Sequence, residues 1–201
     1  MNEISNDKIH EIVQRVVHST FNDQTSGPVK SQPPQSAAIP TSKPTKNRIV
    51  AIGTDHGGVD LKETLKQTLV ENGYEVIDCG TNTKDSVDYP DIALSVAELV
   101  ASGEAWRGVV IDGAGIGSCM AANKVPGVLA AMCYDYATAV NSREHNNANV
   151  LSLGAGLIGT NLAKQILTTW LTTEFGGGRH GKRVDKIFAI ENSFLKDGKK
   201  S

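Results

Sequence analysis

Five short runs rich in β-branched residues alternate with stretches of helical spacing, and this alternation constrains the chain more than any other feature. The runs are Arg48–Gly53, Tyr74–Asp78, Val109–Ile111, Val128–Met132 and Val150–Leu153. Helical patterns fall between them at Leu61, Leu65 and Leu69, at Ile92 to Val100, near Met120, and at Tyr136 to Arg143; another, at Leu162 to Leu171, follows the last run. Strand and helix in strict alternation build a parallel sheet covered on both faces, because each crossover helix carries the chain back to where the next strand begins. The pattern predicts one α/β domain over 48–196, three layers thick, with a five-stranded parallel sheet. A last helix over roughly 180–194 places Val184, Ile187 and Phe188 on one face and reads as an interface arm.

The front of the chain does not share this rhythm. Ile9, Ile12, Val13, Val16 and Val17, extended by Phe21, form the apolar stripe of an amphipathic helix over 1–22, with Ser5, Asn6 or Asp7 available as its cap. Residues 23–47 carry Pro28, Pro33, Pro34, Pro40 and Pro44 among Ser, Thr, Gln and Lys, a composition that builds a semi-extended linker and no core. A lone helix of this length is marginal in water, so its stripe is expected to dock on something. It could fold back on its own domain, pair with its counterpart in an oligomer, or bind a separate protein.

A net charge of −2, from 20 Lys and Arg against 22 Asp and Glu, gives no basis for a nucleic-acid partner. Cys79, Cys119 and Cys133 stand far apart with no C-x-x-C pair, which argues against zinc and against a disulfide framework, and fits a reducing cytosol. There is no apolar run of membrane-spanning length and no secretory pattern at the start, so a cytoplasmic protein without a membrane partner is expected.

Ligands of parallel sheets bind at the carboxyl ends of the strands, so the following loops are the places to seek chemistry. The first, Gly53-Thr54-Asp55-His56-Gly57-Gly58, lacks the dinucleotide fingerprint, and no nicotinamide cofactor is expected. The third, Asp112-Gly113-Ala114-Gly115-Ile116-Gly117, frees backbone amides to converge on an anion. Asp112 sets a carboxylate at the edge of that cradle, where an anionic ligand would meet a second negative charge. Arg143-Glu144-His145-Asn146 precedes the fifth strand, and Gly178-Arg179-His180 with Arg183 opens the last helix. Taken singly, these residues have plainer readings: Asp55 as a helix cap, His145 at the negative end of its own helix, and Arg179 and Arg183 as a solvated face.

Together, Gly53-Thr54-Asp55-His56, Ser86-Val87-Asp88-Tyr89-Pro90, Gly113 to Gly117, Ala121-Ala122-Asn123-Lys124, Arg143 to Asn146 and Gly178-Arg179-His180 with Arg183 resemble the type B ribose-5-phosphate isomerases and the related galactose-6-phosphate isomerase subunits. The resemblance runs from Arg48 to about Ile190 and implies a three-layer α/β/α, Rossmann-like fold. It also implies aldose–ketose isomerisation of a sugar phosphate through an enediolate, with no metal or redox cofactor, in a homodimer or tetramer with sites at the subunit boundary. Carried over residue by residue, it implies that the amides of Gly113, Ala114, Gly115, Ile116 and Gly117 hold the enediolate and that His145 assists ring opening. Asp55 and Asn146 would hold sugar hydroxyls, while His56, Arg179 and Arg183 receive the phosphate at one end of the sheet. The front helix and linker resemble the encapsulation peptides of bacterial microcompartment cargo enzymes, which implies a shell-protein partner for residues 1–22.

The chain departs from the family pattern at Asp112, where the catalytic cysteine usually stands, at Ala114 in place of threonine, and at Gly156 in place of an arginine near the phosphate. Two readings of Asp112 follow. It is itself the catalytic base, its pKa raised by desolvation in a closed pocket. Alternatively it marks a subunit similar to the A subunit of galactose-6-phosphate isomerase, or a sugar-phosphate-binding protein, without ribose-5-phosphate isomerase activity.

Overall fold

The structure, a computed structural model, describes residues 48–197. The amphipathic helix expected over 1–22 and the linker expected over 23–47 lie outside the described residues. Strands β1 (Ile49–Thr54), β2 (Glu75–Asp78), β3 (Arg107–Asp112), β4 (Ala130–Met132) and β5 (Val150–Gly154) form one sheet in the order β2-β1-β3-β5-β4. Every neighbouring pair is parallel, as the alternation requires. Helices α1 (Val59–Glu71), α2 (Tyr89–Ala101), α3 (Ile116–Ala122), α4 (Tyr136–Glu144) and α5 (Thr160–Thr172) each follow a strand, and α6 (Gly178–Asp197) follows α5.

The two-residue period of the strands divides the core. Val50, Ile52, Val109, Ile111, Leu151 and Leu153 face one side, where they meet Leu61, Leu65 and Leu69 of α1 and Ile166, Leu167 and Trp170 of α5. Ala51, Val110 and Val150 face the other, against Val96, Ala97 and Val100 of α2 and Ala122 of α3. This second face is built from smaller side chains, and α2 sits close to it. A Cβ on Gly108 would stand 2.7 Å from Val96 and 3.0 Å from Val100.

Two details bear on the site. Lys62 of α1 is fully buried, and its Nζ donates to both carboxylate oxygens of Asp78, at 2.8 and 2.9 Å, and to Asn82 Oδ1 at 2.6 Å. A buried cation is tolerated only when paired and hydrogen-bonded in this way, and the pairing ties α1 to the loop after β2. That loop in turn clamps the end of β1, through Thr54 N–H to Gly80 O and Thr81 N–H to Thr54 O, both 2.7 Å. The expected start of β4 at Val128 is two residues early. The Val128 amide closes a turn onto Val125 O, and the Leu129 amide donates to the Asn149 side chain at 2.7 Å, so a side chain stands where a strand partner was expected.

Candidate active site

Asp112 is the last residue of β3 and is only 5% exposed. Its carboxylate turns back over the loop that follows. Oδ1 accepts from the amides of Ala114, at 2.8 Å, and Gly115, while Oδ2 accepts from the Ser118 amide at 2.8 Å. The anion cradle expected of this loop is therefore partly filled by the chain's own carboxylate. The amides of Gly113, Ile116 and Gly117 donate no hydrogen bond among the described residues and remain open to a ligand. Burial pushes the Asp112 carboxyl upward, but the Ser118 hydroxyl and the amides of Ser118, Gly115 and Ala114 outweigh it and hold the group below the usual carboxylate range. The upward shift expected from desolvation alone is thereby reversed, because hydrogen bonds to the charged form win.

The loop is locked from β5 and the two residues that follow it. Ala155 N–H donates to Asp112 O at 2.8 Å, Gly156 N–H to Gly113 O at 2.9 Å, and Ser152 Oγ to Gly115 O at 2.6 Å. Gly115 has φ +79°, and a Cβ there would lie 2.9 Å from the Leu153 backbone, so the turn admits glycine alone. Gly156 lies in this lock and brings no cation.

Asp55 does not cap α1, whose cap is Gly58 with no side-chain bond. Its Oδ1 accepts from the Gly57 amide at 2.9 Å, and its Oδ2 has no partner among the described residues. A Cβ on Gly57 would lie 4.0 Å from the Gly113 nitrogen, so the Asp55 loop borders the glycine loop. His56 is exposed beside it. The ring of Tyr89, at the start of α2, covers Gly117, where a Cβ would fall 2.6 Å from the ring.

The second group of expected residues lies elsewhere. Helix α4 starts at the carboxyl end of β4, capped by Asp135, and runs back along the sheet, so His145 and Asn146 sit near the amino end, just before β5. The Gly176 amide donates to Glu144 O at 2.9 Å, which brings the start of α6 to the same corner. There the rings of His145 and His180 stack at 4.2 Å with 1° between planes, and Arg179 Nε donates to His180 Nε2 at 3.4 Å. Asn141 contacts His145 Nδ1 at 2.9 Å. Partial burial, then the neighbouring His145 ring and the Arg179 and Arg183 guanidinium groups, lower the His180 pKa, with Glu144 acting in the opposite direction.

The expectation that His56, Arg179 and Arg183 meet at one end of the sheet is therefore corrected for a single chain. Asp55, His56 and the glycine loop occupy the carboxyl end. His145, Asn146, Arg179 and Arg183 occupy a corner at the other, separated by the length of β5, about 16 Å at 3.3 Å per residue. No side-chain hydrogen bond among the described residues joins the two groups. The sequence reading missed Tyr89, Ser118, Asn141 and His180 as members of these groups. Tyr89 and His180 stood inside quoted motifs, whereas Ser118 and Asn141 become visible only through their partners. Cys119 is half-buried, its thiol 3.4 Å from Ala130 O, and burial raises its pKa. Among the described residues no cluster of His, Cys, Asp or Glu could hold a metal ion, and no helix is long and apolar enough to cross a membrane.

Comparison with known proteins places the chain. Residues 50–187 match the sequence profile of the Ribose/Galactose Isomerase family. The ribose-5-phosphate isomerase B of Escherichia coli is 46% identical over 142 residues, covering 71% of this chain and 95% of that protein. The D-erythrulose-4-phosphate isomerase of Pectobacterium atrosepticum is 42% identical over 144 residues, again 71% and 95%. The solved structure of Clostridium thermocellum ribose-5-phosphate isomerase B is similar with a TM-score of 0.72 and 53% identity, covering 73% of this chain and 99% of that one. The chain belongs to the ribose/galactose isomerase family.

Proposed function

We propose that the protein is a cofactor-independent aldose–ketose isomerase of a sugar phosphate, with ribose 5-phosphate and ribulose 5-phosphate as the leading pair. The observation that carries this reading is the corner where Arg179 and Arg183 flank the stacked His145 and His180, beside Asn146. Two guanidinium groups give charge-assisted bonds to a phosphate, and the neighbouring imidazole and amide suit a sugar's hydroxyls. The relatives named above act on different sugar phosphates at nearly equal identity, so the substrate has to be decided by assay.

The same reading makes the enzyme a homo-oligomer, most simply a homodimer. One substrate reaches both His145 and the open amides of Gly113, Ile116 and Gly117 only if a second copy supplies one of the two groups. Exposed apolar side chains support this. Ile116 and Leu157 border the glycine loop, while Ile187, Ile190 and Phe194 form an exposed stripe on α6. Substituting Phe194→Ser is expected to shift the sedimentation coefficient toward the monomer and to lower turnover with it. An unaltered oligomer would point to a different interface.

A specific observation favours a second reading. The Asp112 carboxylate is engaged by three amides, and a base must leave such bonds to take a proton. In this reading the chain binds a sugar phosphate, as a galactose-6-phosphate-isomerase-A-like subunit or a binding protein, and does not isomerise ribose 5-phosphate. Deuterium incorporation at C2, followed by NMR for ribose 5-phosphate, ribulose 5-phosphate and hexose 6-phosphates, separates the two. Exchange by the wild type that is lost in Asp112→Asn supports Asp112 as base. No exchange with any of them, but a gain in Asp112→Cys, supports the second reading.

Residues 1–22 are proposed to dock on a microcompartment shell protein, with the enzyme as cargo. Removing residues 1–45 is expected to leave a soluble, active protein that no longer co-purifies with shells. Loss of folding on truncation would overturn this.

A further inference from the structure

A chain of hydrogen bonds runs through the His145 corner, and its direction is fixed at its far end. Asn146 Nδ2 lies 3.3 Å from the backbone carbonyl oxygen of Asn141, which can only accept, so this atom of Asn146 is a donor. It also lies 3.3 Å from Asn141 Oδ1, which makes that atom the acceptor and turns the Asn141 nitrogen toward the histidine. Asn141 Nδ2 and His145 Nδ1 are 2.9 Å apart. An amide nitrogen has only protons to offer, so Nδ1 accepts, and a neutral His145 carries its proton on Nε2.

Protonating Nδ1 would set two donors against each other across that contact. The ring of His180, with Arg179 and Arg183 near it, stacks on one face of the imidazole and holds its plane. The carboxylate facing it, Glu144, has its Oε1 4.0 Å from Nε2, beyond hydrogen-bond length.

We propose that Asn141 and Asn146 are positioning residues that fix the His145 tautomer, holding Nδ1 as an acceptor and presenting Nε2–H to a substrate oxygen as a hydrogen-bond donor. This rests on the reading of the corner as ligand-binding. Asn146 complements His145. With Nδ2 committed to Asn141, its Oδ1 is left to accept from a hydroxyl. Consecutive residues of the corner thus offer one donor and one acceptor, which suits a sugar's hydroxyls, one accepting and another donating. A shallow cavity of about 410 Å³, lined by Met132, Ala137, Thr138, Asn141, Ser142 and Asn146, adjoins the pair.

The test is nitrogen-15 NMR of the full-length protein without substrate, above neutral pH, with the His145 signals assigned by their loss in His145→Gln. Asn141 is exposed, so its variants leave the core intact. The wild type is expected to show a protonated Nε2 and a bare Nδ1. Asn141→Asp presents only acceptors and is expected to reverse the pattern, while Asn141→Leu gives a mixture of tautomers. A protonated Nδ1 or freely mixing tautomers in the wild type, or no change in Asn141→Asp, overturns the proposal. With an isomerised substrate in hand, Asn141→Leu is expected to lower kcat about tenfold with little change in KM, and an unchanged kcat also counts against the relay. A wild type without turnover would defeat the isomerase reading and leave the NMR result to decide the relay.

Discussion

The glycine loop after β3 and the corner around His145 both read as ligand sites, yet they are built in opposite ways. In the loop, three amides close on Asp112, two more hydrogen bonds come from the Ala155 and Gly156 amides just after β5, and one comes from the Ser152 hydroxyl, so much of its polar capacity is used within the chain. In the corner, imidazole, amide and guanidinium groups stand at the surface, where several of their polar atoms face solvent. A loop satisfied from within is a rigid frame that offers a few remaining donors. A half-satisfied exposed cluster is held in place by stacking and short relays, and keeps its outer atoms for something else. The contrast suggests that substitutions in the first region register mainly in stability and those in the second mainly in ligand affinity.

Gly154→Ala is the severest test of this contrast. A Cβ there would meet the Ala114 backbone oxygen at 2.5 Å, and neither backbone can yield without opening the loop. The expected loss is about 3 kcal/mol in urea unfolding, and a loss under half of that would show the loop to be softer than described. Asp112→Ala comes next, because it leaves three amides without their acceptor, at a cost of about 2–3 kcal/mol by the same measurement. In the corner, Arg183→Gln is expected to raise KM for the sugar phosphate about tenfold while stability stays within about 0.5 kcal/mol. If Arg183→Gln lowered stability and spared KM, the comparison would be inverted.

The smallest effect concerns acid. For Asp112 burial raises the carboxyl's pKa, but the Ser118, Gly115 and Ala114 donors outweigh it. For Asp78 burial also raises it, but Lys62, Lys66 and the Gly80 amide outweigh it. Both groups are therefore depressed in the folded state. Their stabilisation is complete above the ordinary carboxylate pKa, near 3.9 for an unfolded Asp, and fades as pH falls through the lower folded value. Asp112→Asn is expected to flatten the fall of unfolding free energy below about pH 4. A limb as steep as the wild type's would mean that the carboxylate is not held as described.

By itself the sequence determined the architecture. Alternating β-branched runs and helical spacings dictate a covered parallel sheet, since hydrophobic periodicity is a local property that survives without knowledge of partners. The glycine loop was legible for the same reason, because glycine at Gly115 reports a backbone conformation. So were many residues of both site groups, through the resemblance carried by their motifs, but not the roles of Tyr89, Ser118, Asn141 and His180. Tertiary structure alone decided where those residues stand. His145 follows α4 in sequence, yet the return of that helix along the sheet moves it away from the loop its chemistry had been matched with. The fate of the Asp112 carboxylate also depends on a turn that folds three amides onto it, and the His145 tautomer on two asparagines whose polarity a backbone carbonyl sets. Side-chain charge and proton position follow from donors and acceptors that converge only in three dimensions, and spacing along the chain carries no record of them.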